Sequence, residues 1–175
     1  NKASYDDNRH DVKDTSAEQQ WPFVTGTAEV RPKPAVSSSD GTIYVGSGSP
    51  GINDGRAFAI NPDGTQKWVF NSPGSGDTEF KSSPALDSNG RIYIGSNDNH
   101  LYCFDPIPSD LTNPTPVWST LLSGNVKSGP AVDEARNRVY VGTDNKFYAI
   151  NKTTGSIYWT YPASTTHTFS SPTID

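Results

Sequence analysis

Apolar residues in this chain fall in short runs, each closed by Gly, Pro, Asn or Asp, and the same order of runs returns along the sequence. The best-formed copy reads Gly129-Pro130-Ala131-Val132-Asp133, a polar turn, Arg138-Val139-Tyr140-Val141-Gly142, the turn Asp144-Asn145, Phe147-Tyr148-Ala149-Ile150-Asn151, then Thr154-Gly155 and Trp159. Runs rich in Val, Ile, Tyr, Phe and Trp between such turns are strands. The third copy therefore predicts strand A near 130–133, B near 138–142, C near 147–151 and D near 156–161. No window carries the spacing of a helix.

Two copies stand upstream. One holds Ser83-Pro84-Ala85-Leu86-Asp87, Arg91-Ile92-Tyr93-Ile94-Gly95, Leu101-Tyr102-Cys103-Phe104-Asp105 and Trp118. The other holds Lys33-Pro34-Ala35-Val36, Thr42-Ile43-Tyr44-Val45-Gly46, Ala57-Phe58-Ala59-Ile60-Asn61, Asp63-Gly64 and Trp68. The strand A prolines, Pro34, Pro84, Pro130 and Pro172, are spaced by 50, 46 and 42 residues, the length of a propeller blade or solenoid turn. Strands B and C are apolar at nearly every position rather than alternating, so both sheet faces must be covered. Four-stranded antiparallel sheets stacked about an axis meet that demand, which predicts an all-β chain of β-propeller blades. Trp21, Trp68, Trp118 and Trp159 recur at steps of 47, 50 and 41 residues. They hold one structural position, where a large ring on the outer strand fills the wedge between neighbouring blades. Trp68 and Trp159 are expected to pack against the adjacent repeat, and Gly64 and Gly155 to take positive φ at the C to D turn.

The stretch Ala149-Ile150-Asn151-Lys152-Thr153-Thr154-Gly155-Ser156-Ile157-Tyr158-Trp159 resembles the tryptophan-docking motif of quinoprotein dehydrogenases, with Asn151 where that family usually has Asp. Ala59 through Trp68 is a copy one residue shorter, and the second repeat keeps Asp105 and Trp118 without the turn. Residues 21–175 are thus similar to the PQQ-like propeller repeat, a family that includes quinoprotein dehydrogenases and non-enzymatic propellers, among them periplasmic outer-membrane-assembly proteins. The resemblance implies a ring of seven or eight blades, of which this chain holds about three. It also suggests PQQ and calcium, but the dehydrogenases rest their quinone on a disulfide between adjacent cysteines. This chain has one cysteine. Cys103 stands where the other repeats place Ala59 and Ala149, a small core position. No catalytic, cofactor-binding or metal-ligating residue is assigned.

Taken in order, the chain divides into a polar tail or linker at 1–20, the end of a blade at 21–32, blades at 33–70, 82–119 and 128–161, and strand A of a further blade at 170–175. Such an arc leaves apolar blade faces to be covered, either by the remaining blades of a longer chain or by a second copy in a head-to-tail ring. The formal net charge of −5 and the absence of a Lys/Arg cluster argue against a nucleic-acid or anionic-membrane surface. No apolar run is long enough to cross a bilayer. The sequence shows neither an initiator Met nor a signal peptide and reads as a processed product.

Two insertions mark candidate surfaces. Residues 47–55, rich in Gly, lie between B and C of the first repeat and read as a mobile binding loop carrying Asn53 and Asp54. They supply too few carboxylates to hold calcium alone. Residues 106–116, with four prolines, lie between C and D of the second repeat and are stiff. Up-and-down topology puts B–C and D–A loops on one face and A–B and C–D loops on the other. The first face gathers 47–55, 71–81 (with Asp77 and Glu79), 120–128 and 161–170, and is the better binding candidate. The histidines fall on the tail (His10) and in turns (His100, His167), and Ser170-Ser171-Pro172 opens a strand rather than a nucleophile elbow. Asn151-Lys152-Thr153 is a formal glycosylation sequon at a structural motif position. The sequence therefore predicts a non-catalytic binding or scaffold module of a secreted, periplasmic or cell-surface protein, recognising a protein or glycan. Two alternatives stand beside it: a fragment of a quinoprotein-type oxidoreductase, and a self-assembling unit of a surface layer or filament.

Overall fold

The computed structural model describes residues Thr25, 30–162 and 171–174. It contains three antiparallel sheets of four strands, each in simple up-and-down order. Blade one is formed by β1 (Ala35–Val36), β2 (Ile43–Ser47), β3 (Arg56–Ile60) and β4 (Gln66–Asn71). Blade two is formed by β5 (Ala85–Leu86), β6 (Ile92–Gly95), β7 (His100–Phe104) and β8 (Trp118–Leu121). Blade three is formed by β9 (Ala131–Asp133), β10 (Arg138–Gly142), β11 (Lys146–Asn151) and β12 (Ile157–Pro162). The strands fall within a residue or two of the expected runs.

Register repeats from blade to blade. Tyr44 pairs with Ala59 and Ala59 with Trp68; Tyr93 pairs with Cys103 and Cys103 with Trp118; Tyr140 pairs with Ala149 and Ala149 with Trp159. A small residue thus lies between two aromatic ones across each sheet. The first strands are short, because the segment before each proline lies against the neighbouring blade instead of pairing. Lys33 N donates to Ser83 Oγ (3.1 Å), and Gly129 N to Ser171 Oγ (2.9 Å). Ser171–Ile174 therefore sits beside blade three where a further strand A belongs, although it makes no strand pairing.

The sheets stack face to face. Tyr44, Ala59, Trp68 and Phe70 of blade one meet Phe80, Ile92, Ile94, Tyr102 and Phe104 in one core cluster. Tyr93, Leu101, Cys103 and Leu122 meet Val126, Val139, Val141, Tyr148 and Ile150 in the next. Burial of both faces explains the continuous apolar runs of β6 and β7. The glycine closing strand B is required by the same stacking: a Cβ at Gly95 would lie 2.3 Å from Val126 Cγ1.

The expected inter-blade burial of Trp159 is corrected. Trp68 is 1% exposed between blades one and two, whereas Trp159 is 41% exposed on the outward face of blade three. No described sheet follows to cover it, and its ring contacts, Tyr140 and Phe147, belong to its own blade. Tyr161 is exposed beside it, while Val45, Phe58 and Ile60 on the far side of blade one are buried. Trp21, the tail at 1–20 and the loop at 163–170 lie outside the described residues.

Candidate binding face

Two of the loops expected on one face, 47–55 and 71–81, meet there. The β2–β3 loop, 47–55, lies against the β4–β5 connection, 72–84, and Thr78 joins them. Its hydroxyl accepts from Gly55 N (3.0 Å) and donates to Asn53 Oδ1 (3.1 Å), while its own amide reaches Ile52 O (3.3 Å). Phe80 N donates to Ser47 O (3.2 Å) at the base. Asp54 folds back on its own loop, accepting from Ser49 N and Ser49 Oγ, both at 2.7 Å.

This overturns the expectation of a mobile loop. The glycines permit close approach rather than freedom: a Cβ at Gly55 would lie 1.8 Å from the Thr78 carbonyl oxygen. The tip, Pro50 to Asn53, stays exposed, with Ile52 at 51%.

Asp77 and Glu79 tie the connection to blade two. Asp77 Oδ2 accepts from Asn97 Nδ2 (3.0 Å), and Asn97 N donates to Glu79 O (2.9 Å). The Glu79 side chain is 1% exposed, with its carboxylate held by Lys81 Nζ (2.8 Å) and Arg31 Nε (3.6 Å). A buried carboxylate needs such partners, since an unpaired one costs several kcal/mol. Nearby, Asp98 accepts from Ser72 Oγ and Tyr102 Oη and receives the His100 amide. The four sequence-selected residues therefore frame one surface. Their side chains brace the loops, and the solvent-facing atoms belong to Ile52 and its neighbours.

Sequence reading passed over the basic residues of this face. Arg31, Lys81 and Lys127 each stand three residues before a strand A proline. Lys127 pairs with Asp144 in the β10–β11 turn (3.0 Å) as Lys81 pairs with Glu79. The fixed offset from the proline is the signal that finds them.

The tryptophans and their glycines give the other recurring geometry. Gly64 and Gly155 have φ of 84° and 75°, the left-handed region that favours Gly. A Cβ at Gly155 would lie 2.8 Å from the Trp118 ring, so the turn of blade three is a platform for the tryptophan of blade two. The Trp118 indole N–H donates to Lys152 O (3.1 Å). Trp68 has no counterpart bond: its buried Nε1 lacks a partner, because blade two replaces the glycine turn with the insertion at 106–116. Cys103 is fully buried, and burial first of all pushes its thiol up to about 12, which keeps it unreactive. Among the described residues no three His, Cys, Asp or Glu side chains lie together as metal ligands.

A family model described as outer membrane protein assembly factor BamB matches residues 53–175. The chain belongs to this family. Solved structures with the same fold include BamB from Moraxella catarrhalis, at 14% identity and a TM-score of 0.57 over 75% of this chain and 37% of that one. The quinohemoprotein alcohol dehydrogenase of Comamonas testosteroni matches at 19% identity and a TM-score of 0.56, over 77% of this chain and 21% of that one. That of Pseudomonas putida HK5 matches at 17% identity and a TM-score of 0.55, over 77% and 21%. The chain thus spans well under half of each of these BamB-like and dehydrogenase propellers. A search of curated protein sequences returned no significant match. No helix of the described residues is long and apolar enough to cross a membrane.

Proposed function

We propose that this chain is a non-catalytic scaffold segment of a periplasmic or otherwise extracytoplasmic propeller, which binds a protein partner through the face carrying 47–55 and 72–84. The observation that carries this reading is the interlocked loop pair. Hydrogen bonds through Thr78 fix the backbone, so little ordering entropy opposes binding, and Ile52 stands exposed at the tip as an apolar contact. Family membership supports it, since the family is described by a role in outer membrane protein assembly. The partner is accordingly a protein of an envelope assembly complex.

The quinoprotein reading finds less support in these residues. The single cysteine is buried in a core cluster, and the acidic side chains of the loop face are occupied by Lys81, Arg31, Asn97 and loop amides. These residues do not fit the quinone and calcium that the dehydrogenases carry, and no step is derived through them.

Co-purification from the native envelope tests the reading. Ile52→Asp, which changes an exposed side chain and leaves the backbone bonds of the loop in place, should lose a defined partner while leaving the fold intact. Retention of that partner at wild-type yield would refute it.

A further inference from the structure

The two inter-blade joints use the same positions but are closed differently. In the joint between blades two and three, Lys152 stands three residues after Ala149, the register partner of Tyr140. Its ammonium reaches Asp87 Oδ2 (3.3 Å) and Glu134 Oε2. Asp87 and Glu134 lie two and three residues after the strand-opening Ala85 and Ala131. Tyr93 Oη donates to Asp87 Oδ2 (2.9 Å), and the Trp118 indole bonds the Lys152 carbonyl. The polar groups at the centre of this joint are paired.

The same offsets in the joint between blades one and two give Pro106 for Lys152, Ser37 for Asp87 and Ser88 for Glu134. All three line one cavity of about 450 Å³, together with Ser39, Asn89 and Leu86. The lysine and both carboxylates have been replaced together, and the space its side chain occupies in the next joint stays open. Tyr44 and Trp68, counterparts of Tyr93 and Trp118, are buried there with Oη and Nε1 unpartnered.

We propose that this cavity is a binding site for a neutral saccharide unit. Its volume is many times the ~30 Å³ share of a water molecule and lies within the roughly 300–1,000 Å³ of small-molecule sites. The hydroxyls of Ser37 and Ser39 bond each other at 2.9 Å, leaving lone pairs for incoming hydroxyl groups. Ser88 and Asn89 add polar groups, and Leu86 and Pro106 give an apolar wall for ring C–H groups. A cation lacks its acids, since serines replace the residues that hold the Lys152 ammonium, and the remaining Asp87 is already paired with that lysine. An anion would meet the Asp87 carboxylate and a chain of net charge −5. The cavity opens on the A–B and C–D side, opposite the loop face, so the proposal does not rest on the protein-binding reading.

The test is titration of the full chain, labelled with ¹⁵N, with glucose, N-acetylglucosamine and maltose, read by amide shifts. At least one sugar should shift residues 37–39 and 88–90 saturably. Rebuilding the clamp with Pro106→Lys, Ser37→Asp and Ser88→Glu should abolish those shifts or weaken binding at least about tenfold. Ser39→Leu, a single change at an exposed position, should do the same if the triple variant fails to fold. Absence of saturable shifts with all three sugars, shifts confined to other residues, or binding that survives pocket filling would each overturn the proposal. So would response of the same amides to inorganic phosphate or calcium but to no sugar.

Discussion

Replacing Trp118 and Trp68 one at a time by Phe separates the two roles of the recurring tryptophan. Both changes remove part of a ring packed between blades, leaving a space of roughly 40 Å³, worth about 1 kcal/mol at ~24 cal/mol per Å³ if nothing relaxes. They differ at the indole nitrogen. Trp118→Phe also deletes the 3.1 Å bond to Lys152 O, a further loss of about 1 kcal/mol. Trp68→Phe deletes a buried donor that has no partner. An unsatisfied buried group costs about 1–3 kcal/mol, so its removal offsets the packing loss. Trp68→Phe should therefore be near neutral and Trp118→Phe should cost about 2 kcal/mol, despite the deeper burial of Trp68. Urea unfolding with a common m-value reads the difference directly. If Trp68→Phe proves the more damaging by over 1 kcal/mol, the claim that its nitrogen is an orphan is wrong.

Lys152→Met leaves the 1%-exposed Asp87 carboxylate without its ammonium and should cost about 3 kcal/mol in chemical denaturation. Burial opposes ionisation of Asp87, but bonds from the Arg91 amide and Tyr93 and the charge of Lys152 outweigh it and hold the group below its ordinary value. Its stabilising contribution is therefore present above the usual carboxylate range and lost as pH falls through the depressed value. Lys152 is raised, burial again being outweighed, here by Glu134 and Asp87, so its contribution holds below the ordinary lysine range and fades as pH rises through the raised one. Lys152→Met should flatten both limbs of the stability–pH curve; an unchanged acid limb would contradict the clamp. Gly155→Ala must place a Cβ 2.8 Å from the Trp118 ring at φ 75°, and should lower the melting temperature by several degrees; an unchanged melting curve would show that the turn relaxes freely. Trp159→Ala, at 41% exposure, should cost well under the 3–5 kcal/mol of a fully buried Trp, and a loss as large as that of Trp68→Ala would mean that its face is covered.

Strand positions were legible because each run is set by a local demand: apolar residues where both faces are buried, and Gly, Asn or Asp where the chain turns. The equivalence of positions was legible too, since Tyr44, Tyr93 and Tyr140 each stand two residues before the glycine that closes strand B, and Ala59, Cys103 and Ala149 two residues before the Asn or Asp that closes strand C. The exposure of Trp159 was not, because it depends on what faces the blade and not on the blade itself. The rigidity of 47–55 was hidden for a related reason: a Gly that admits Thr78 and a Gly that confers freedom look alike in sequence. Lys152 was read as the middle of a sequon, although its offset from Ala149 is the same as that of Pro106 from Cys103. Only with Asp87 and Glu134 in place does that offset mark a clamp in one joint and a cavity in the other.

The central claim, that binding occurs through the interlocked loop face, is tested most directly by site-specific photo-crosslinking in the native envelope. A photoreactive residue is placed at Ile52 or, on the opposite face, at the still more exposed Ile107. Position 52 should give a discrete adduct with one protein, lost when Asn53→Ala and Thr78→Ala loosen the loop pair, and position 107 should give none with that protein. Adducts of equal yield from both positions, or an adduct from 107 alone, would contradict the account.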